Sequence, residues 1–289
     1  MRHFSPRTTR DYIEVLKPRE SLLLSFIGIC AAIMAGGGFT SPGRLLLVTV
    51  GLLAGSSGIN GLTNYLDRHI DARMQRTRNR ALPSGRIYPA EKVLPLVTVL
   101  ATGALVLAWW MHPFCFWAGL TGFIAAIVWR KRWTCVFPQG ILASCAPVLT
   151  GWFAINPTLN WELLLLCILI AIWVPLHLWS IMIARRDDYA RAGINYFPLN
   201  RTTGEVVKLL VVLSLMLYTA SITVYFAGGF SWLFLLMANL LGCILLYTSL
   251  RLTISTSSRV SWRLYRLSAF PYLGLLFLGM CLDTLFLSV

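Results

Sequence analysis

Residues 161–193 read WELLLLCILIAIWVPLHLWSIMIARRDDYARAG. The stretch 161–183 is almost entirely apolar, and it exceeds the roughly 20 residues that an α-helix needs to cross a bilayer. Two adjacent carboxylates, Asp187 and Asp188, follow directly and are flanked by arginines. Charged groups are expensive beside a hydrocarbon core, so acids placed at the end of a predicted span indicate function rather than packing.

The whole chain has the composition of a polytopic membrane protein. It has 289 residues, of which 57% are apolar and 12% charged, and its mean hydropathy is positive. The apolar runs are continuous rather than alternating, which predicts an all-α bundle in one membrane-embedded domain, residues 1–289. About nine spans are predicted: 22–39, 44–65, 91–111, 113–129, 138–155, 161–183, 205–226, 230–250 and 265–287. The seven cysteines form no CxxC pair, so neither a zinc site nor a disulfide framework is predicted.

Lysine and arginine are distributed unequally between the two sides of the predicted membrane. Most lie in the N-terminal arm 1–20 and in loops on the same side, including 67–90 and 185–204, whereas Arg44 is nearly alone on the other side. This asymmetry predicts that the N-terminus and both acidic loops are cytoplasmic, in an inner (plasma) membrane. The net charge of +14 then reflects topology and attraction to anionic membrane lipids. Basic residues dispersed among loops argue against nucleic-acid binding.

A second acidic segment, residues 64–80, reads NYLDRHIDARMQRTRNR. Asp67 and Asp71 are four residues apart, so they share one helix face if the second span continues that far. Two such carboxylates repel unless a cation lies between them, and oxygen ligands suit Mg²⁺. Arg76 and Arg80 offer charge-assisted donors to phosphates on the same cation. The alternative is a solvated loop in which the acids pair with these arginines.

The segment after residue 183 repeats the arrangement. Asp188 is flanked by Arg185 and Arg186, and Tyr189 adds a hydroxyl. The solvated-loop alternative would now have to apply twice on one membrane face. We therefore expect one shared site for a divalent cation and a polyanion.

Together the two segments resemble the aspartate-rich motifs of the UbiA-type intramembrane prenyltransferases. The continuation of the first motif is most similar to the protoheme IX farnesyltransferase branch, through Met74, Arg76, Thr77 and Arg80. The second motif is similar to the same branch through His177, Asp188, Tyr189, Ala192 and Gly193. Other family members usually carry an aspartate near position 185, where this chain has arginine.

The resemblance implies a UbiA-type bundle and transfer of a farnesyl group from farnesyl diphosphate to a vinyl group of protoheme IX (haem B), giving haem O. It implies Mg²⁺ held by Asp67, Asp71 and Asp188, with Asn64 completing the catalytic set. The implied substrate-binding residues are Arg76, Arg80, Lys131, Arg132, Arg185, Arg186, Tyr189 and His177. An enzyme of haem A synthesis would be the downstream partner.

Three positions depart from the family pattern, and several interpretations stay open. Ala81 stands where a proline often follows Arg80. Thr63 and Phe137 stand where the family usually has asparagine. His177 is either a haem ligand or acceptor contact, or a histidine hydrogen-bonded across helices. Alternatives to haem farnesylation are UbiA-type prenylation of an aromatic or quinone precursor, a transporter of anionic substrates, and a non-catalytic assembly protein. Transporters tend to place charges at mid-membrane in broken helices, whereas these acids lie at one interface.

Overall fold

The computed structural model describes residues 6–128 and 138–287, and within these ranges the chain is helical without strands. The helices are α1 (Pro6–Val15), α2 (Pro18–Ala35), α3 (Pro42–Asp71), α4 (Leu94–Met111), α5 (Pro113–Val128), α6 (Gln139–Phe153), α7 (Trp161–Ala184), α8 (Arg186–Arg191), α9 (Thr203–Gly228), α10 (Trp232–Ile254), α11 (Ser258–Leu267) and α12 (Leu275–Phe286). A short 3₁₀ turn, Ala90–Val93, leads into α4, and a π-helical segment, Ser268–Gly274, joins α11 to α12. The predicted all-α membrane fold is confirmed.

The predicted count of about nine spans is slightly high for the described residues. Seven helical stretches of the described chain are long and apolar enough to cross a membrane: α2, α3, α4 with its 3₁₀ turn, α7, α9, α10 and α11 through α12. Helix α5 has 16 residues and α6 has 15, both short of the roughly 20 that a crossing needs. Pro113 explains one boundary, because proline disfavours the helical conformation of the preceding residue, and His112 is extended.

Side-chain caps fix several helix ends near the membrane surfaces. Thr202 and Glu205 form a reciprocal capping box at the start of α9, and Asn160 accepts a hydrogen bond from the Leu163 amide at the start of α7. Both devices satisfy amides that have no partner within the helix. They fix where α7 and α9 begin.

Arg44 lies on the side opposite the acidic loops, where it hydrogen-bonds to two backbone carbonyls. Its Nε donates to the carbonyl of Ala154 at 2.8 Å, just after α6, and its Nη2 donates to the carbonyl of Met111 at 3.3 Å, at the end of α4. Carbonyls at helix C-termini lack intrahelical donors and carry partial negative charge. One guanidinium therefore joins α3 to α4 and α6 at this end of the bundle.

The N-terminal arm contains a helix that packs against the first acidic loop. The Asn64 amide nitrogen donates to the Val15 carbonyl at 2.6 Å, and Arg86 forms ion pairs with Asp11, at 3.0 Å, and with Glu14. A small hydrophobic cluster lies underneath, formed by Val15, Ala81, Leu82, Ile87 and Val93. The loop after α3 therefore has a core of its own.

Helices α2 and α6 approach to backbone contact through two glycines. A Cβ atom on Gly151 would lie 2.0 Å from the carbonyl oxygen of Gly28, which is a clash that only backbone movement could relieve. Small residues allow this close approach, and packing of this kind contributes to helix association in membranes. The crossing holds the two halves of the main hydrophobic core together.

We expect Gly151→Ala to destabilise the protein, because the added methyl group overpacks the crossing by an amount typically worth about 1–3 kcal/mol. The matched control is Gly103→Ala, since a Cβ there meets nothing within 4 Å. That control should be neutral or slightly stabilising, because alanine is the better helix former. Thermal unfolding in detergent measures both variants, and equal melting temperatures would contradict the proposed crossing.

Candidate active site

The first pair of acids lies on the last two turns of a long helix. Helix α3 continues without a break to Asp71, so the spacing of four residues places Asp67 and Asp71 on one face. That face is turned into the protein, with Asp67 only 9% and Asp71 only 1% exposed. Buried carboxylates at a membrane surface require compensating donors or cations.

The chain after α3 folds back over these acids. The Thr77 hydroxyl donates to the Asp71 carbonyl at 2.9 Å, and Met74 and Thr77 are fully buried. Arg80 approaches Asp71 Oδ2 at 3.5 Å, and the Nε of half-buried Arg76 has no hydrogen-bond partner in the described structure. The acid–arginine pairing of the alternative is present in Arg80–Asp71, but the acids are buried, so this segment is not a solvated loop.

The second pair of acids follows a change of helix direction. Arg185 leaves helical geometry, with φ of −126°, between α7 and the short α8. The turn buries Asp188 and Tyr189, at 5% and 6% exposure, and leaves Asp187 exposed. Gly193, with φ of +76°, ends α8 in the left-handed conformation that glycine adopts most easily. Only one of the two adjacent acids therefore faces the site.

The two acidic loops touch each other directly. The Gln75 amide donates to Asp188 Oδ1 at 2.9 Å, and Arg191 Nη2 donates to the same oxygen at 2.6 Å. Burial by itself raises the pKa of Asp188, but the bonds from Arg191 and from the Gln75 and Arg76 amides outweigh it and hold the pKa below its usual range. Asp188 is therefore a carboxylate at neutral pH, held beside the first loop.

Two arginines of the second loop have other partners. Arg186 donates to the Thr203 hydroxyl at 2.8 Å and to the Leu199 carbonyl at 2.6 Å, and also bonds a further loop carbonyl. Arg185 lies over the Trp262 ring, with 4.7 Å between the guanidinium carbon and the ring centroid. Arg186 therefore holds the chain that leads into α9 through hydrogen bonds, and Arg185 forms a cation–π contact.

The remaining predicted residues differ in how they relate to the site. The side-chain amide nitrogen of Asn64 donates to the Val15 carbonyl. The side-chain oxygen of Asn64 is therefore the group suited to bind a cation. The Thr63 hydroxyl donates to the Asn60 carbonyl at 3.0 Å. Lys131, Arg132 and Phe137 lie outside the described residues.

His177 bonds across helices, as one of the two interpretations predicted. Its Nδ1 lies 3.0 Å from the Ser268 hydroxyl, and its ring stacks between Trp173 and Tyr265, with centroids at 4.8 and 4.5 Å. Neither Tyr265 nor Ser268 was predicted as a site residue; Tyr265 lies within the basic amphipathic helix α11, and Ser268 follows it. Pro271, inside the last predicted span, was the one signal that the helix is irregular there.

The carboxylates lie around the junction of the two loops but do not form a preformed metal site. Across residues 6–128 and 138–287, no three histidine, cysteine, aspartate or glutamate side chains lie together at metal-binding distance. Asp71 and Asp188 are each held by an arginine. The site is thus a cluster of paired charges, at which a polyanion and its cation could bind by exchanging partners.

Comparison with known proteins agrees with this geometry. Residues 22–277 match the model of the UbiA prenyltransferase family. The protoheme IX farnesyltransferase of Desulforudis audaxviator is 32% identical over 96% of this chain and 89% of its own. That of Gloeobacter violaceus is 32% identical over 96% and 92%, and that of Marinobacter nauticus is 31% identical over 97% and 94%.

Solved structures share the fold at low sequence identity. A digeranylgeranylglyceryl phosphate synthase superposes with a TM-score of 0.76 at 14% identity, covering 96% of this chain and 98% of its own. A UbiA homologue of Archaeoglobus fulgidus, solved with GPP and Mg²⁺, gives a TM-score of 0.64 at 14% identity over 95% and 99%. With the family match spanning most of the sequence and the two aspartate loops in contact, the chain belongs to the UbiA prenyltransferase family.

Proposed function

We propose that this protein transfers the farnesyl group of farnesyl diphosphate to a vinyl group of protoheme IX, giving haem O. The observation that carries the proposal is the Gln75–Asp188 hydrogen bond, which brings both aspartate loops to one place. Relatives named protoheme IX farnesyltransferase align over nearly the full chain, which supports this acceptor. We further propose that the protein lies in the inner membrane with both loops facing the cytoplasm, as the lysine and arginine distribution predicts.

The carboxylates of the site fit Mg²⁺. Asp67, Asp71 and Asp188 would hold the ion, with Asp188 offering Oδ2, which neither Gln75 nor Arg191 contacts. Mg²⁺ typically binds one or two carboxylates and completes its shell with water and substrate phosphates, so a preformed protein cage is not required. When bound, the ion neutralises charge on the diphosphate.

The arginines of the first loop are suited to the leaving diphosphate. Arg76 has a buried Nε that is ready to donate. The Arg80–Asp71 distance of 3.5 Å is longer than the 2.7–2.9 Å typical of charge-assisted bonds. We infer that Arg80 moves from Asp71 to the diphosphate when substrate binds, which releases Asp71 for the cation. Lys131 and Arg132 would add positive charge, as the family resemblance implies.

The reaction needs charge stabilisation more than a covalent enzyme intermediate. The allylic C–O bond breaks and its electron pair leaves on the diphosphate, which the arginines stabilise. The vinyl π electrons then form the new C–C bond, and water adds to the resulting cation and loses a proton. The apolar bundle shields the farnesyl cation from premature capture by water. Arg186 supports this chemistry indirectly, by holding the second loop in place.

Purified protein incubated with haem B, farnesyl diphosphate and Mg²⁺ should produce haem O, identified by mass spectrometry. Chelation of divalent cations should stop the reaction, and re-addition of Mg²⁺ should restore it. Quinone precursors and other aromatic acceptors serve as competitors in the same assay. Prenylation of one of these acceptors instead of haem would contradict the proposed acceptor.

Asp188→Asn should lower kcat/KM by about 100-fold or more, because it removes a charge that acts on the developing transition state. Asp187→Asn is the matched control, since this neighbour is exposed and outside the site. Both variants should elute as the same folded species in size-exclusion chromatography. Full activity in Asp188→Asn would show that the acid has no catalytic role.

Arg76→Gln and Arg186→Gln should fail in different ways. Loss of Arg76 should raise the KM for farnesyl diphosphate with little change in melting temperature. Loss of Arg186 removes three hydrogen bonds to the loop before α9 and should lower the free energy of unfolding by about 2 kcal/mol. Calorimetry and steady-state kinetics separate the two effects, and a reversed pattern would exchange the roles assigned to these residues.

A further inference from the structure

A column of stacked rings runs from the interior of the bundle to the acidic loops. It consists of Trp173, His177, Tyr265 and Trp262, with successive centroids separated by 4.8, 4.5 and 5.0 Å. The guanidinium of Arg185 covers the last ring. We call these four side chains the aromatic column. It joins α7 to α11 beside the site.

The stacking determines how a ligand can reach His177. Trp173 covers one face of the imidazole and Tyr265 covers the other, at interplanar angles of 17° and 31°. His177 is nevertheless only partly buried. With both faces covered, the edge of the ring, where the nitrogens are, is the part of the imidazole left for a ligand. A flat molecule cannot stack on this histidine, but an atom can bind to its edge.

The hydrogen bonds of Ser268 define which nitrogen carries the proton. The Ser268 hydroxyl donates its single hydrogen to the Tyr265 carbonyl at 3.0 Å, so it faces His177 Nδ1, 3.0 Å away, with a lone pair. With this orientation of the hydroxyl, Nδ1 is the protonated nitrogen of the ring. The neighbours of the ring are aromatic side chains, a hydroxyl and the backbone carbonyl of Tyr265, and a charged imidazole within a membrane span would be costly. The neutral ring then carries its lone pair on Nε2.

The column also lies next to the proposed diphosphate site. Tyr265 is within electrostatic reach of both Arg76 and Arg80. Tyr265, which contacts His177, thus lies within the field of the arginines that would hold the leaving group. Ser268 begins the π-helical segment, in which Ala269 has a non-helical ψ of −129°. Such π segments often occur at functional sites, and here the segment positions the serine against the imidazole.

We infer that His177 Nε2 is an axial ligand of the iron of the acceptor haem, and that Ser268 is the positioning residue that fixes its orientation. Histidines that bind metals commonly donate their other N–H to a nearby oxygen, and neutral imidazole is a common haem ligand. The vinyl groups lie at the rim of the macrocycle. Iron held at His177 would let that rim extend past Tyr265 toward the farnesyl carbon. This inference rests on the proposed function.

Titration of the detergent-purified protein with haem B tests the assignment by absorption and electron paramagnetic resonance spectroscopy. The wild type should give the spectrum of a histidine-ligated haem. His177→Ala should lose that spectrum and regain it on addition of imidazole. His112→Ala, at the α4–α5 junction far along the chain, is the matched control and should behave as the wild type. Metal-free protoporphyrin IX should bind equally to the wild type and to His177→Ala.

Ser268→Ala provides the second test and does not remove the ligand. It should weaken haem binding by about 10- to 100-fold, the usual effect of removing a partner that orients a metal ligand, while metal-free protoporphyrin binds unchanged. An unaltered haem spectrum in folded His177→Ala that still makes haem O would overturn the inference and leave the proposed function standing. Absence of haem binding and of haem O from wild-type protein would instead remove the proposed function.

Discussion

The hydrogen bond from the Gln75 amide to Asp188 connects two loops that are more than a hundred residues apart in sequence. A backbone amide can donate in this direction only if the chain around it is held still. The first loop meets this condition through the buried side chains of Met74 and Thr77 and through its small hydrophobic cluster. Helix α1 adds ion pairs to Arg86 from outside. The position of Asp188 therefore depends on packing around the first loop as well as on its own helix.

The same constraint explains why so many arginines surround so few acids. Carboxylates that are nearly excluded from water require donors in the absence of substrate, and Arg80 and Arg191 provide them. When a polyanion and a cation enter together, each charge can exchange one partner for another of the same sign. The site then stays close to electrically balanced in both states, so substrate binding does not have to bury an unpaired charge.

Local sequence patterns predicted the parts of the structure that local forces determine. The spacing of Asp67 and Asp71, together with the apolar run before them, was enough to place both acids on one helix face. The role of Arg186 was not predictable in this way, because its partners lie in a loop whose path depends on tertiary packing. Ser268 lies 91 residues from His177, and no periodicity relates them. The predicted span count was slightly high because hydropathy gives the presence of an apolar helix more reliably than its length.

The Arg44 contacts connect three helices at one end of the bundle. The guanidinium of Arg44 joins α3 to the ends of α4 and α6 at the face opposite the acidic loops. Separation of α3 from α4 and α6 is therefore opposed at that end of the bundle. A bulky acceptor that spreads these three helices would meet less resistance between them toward the aspartate end.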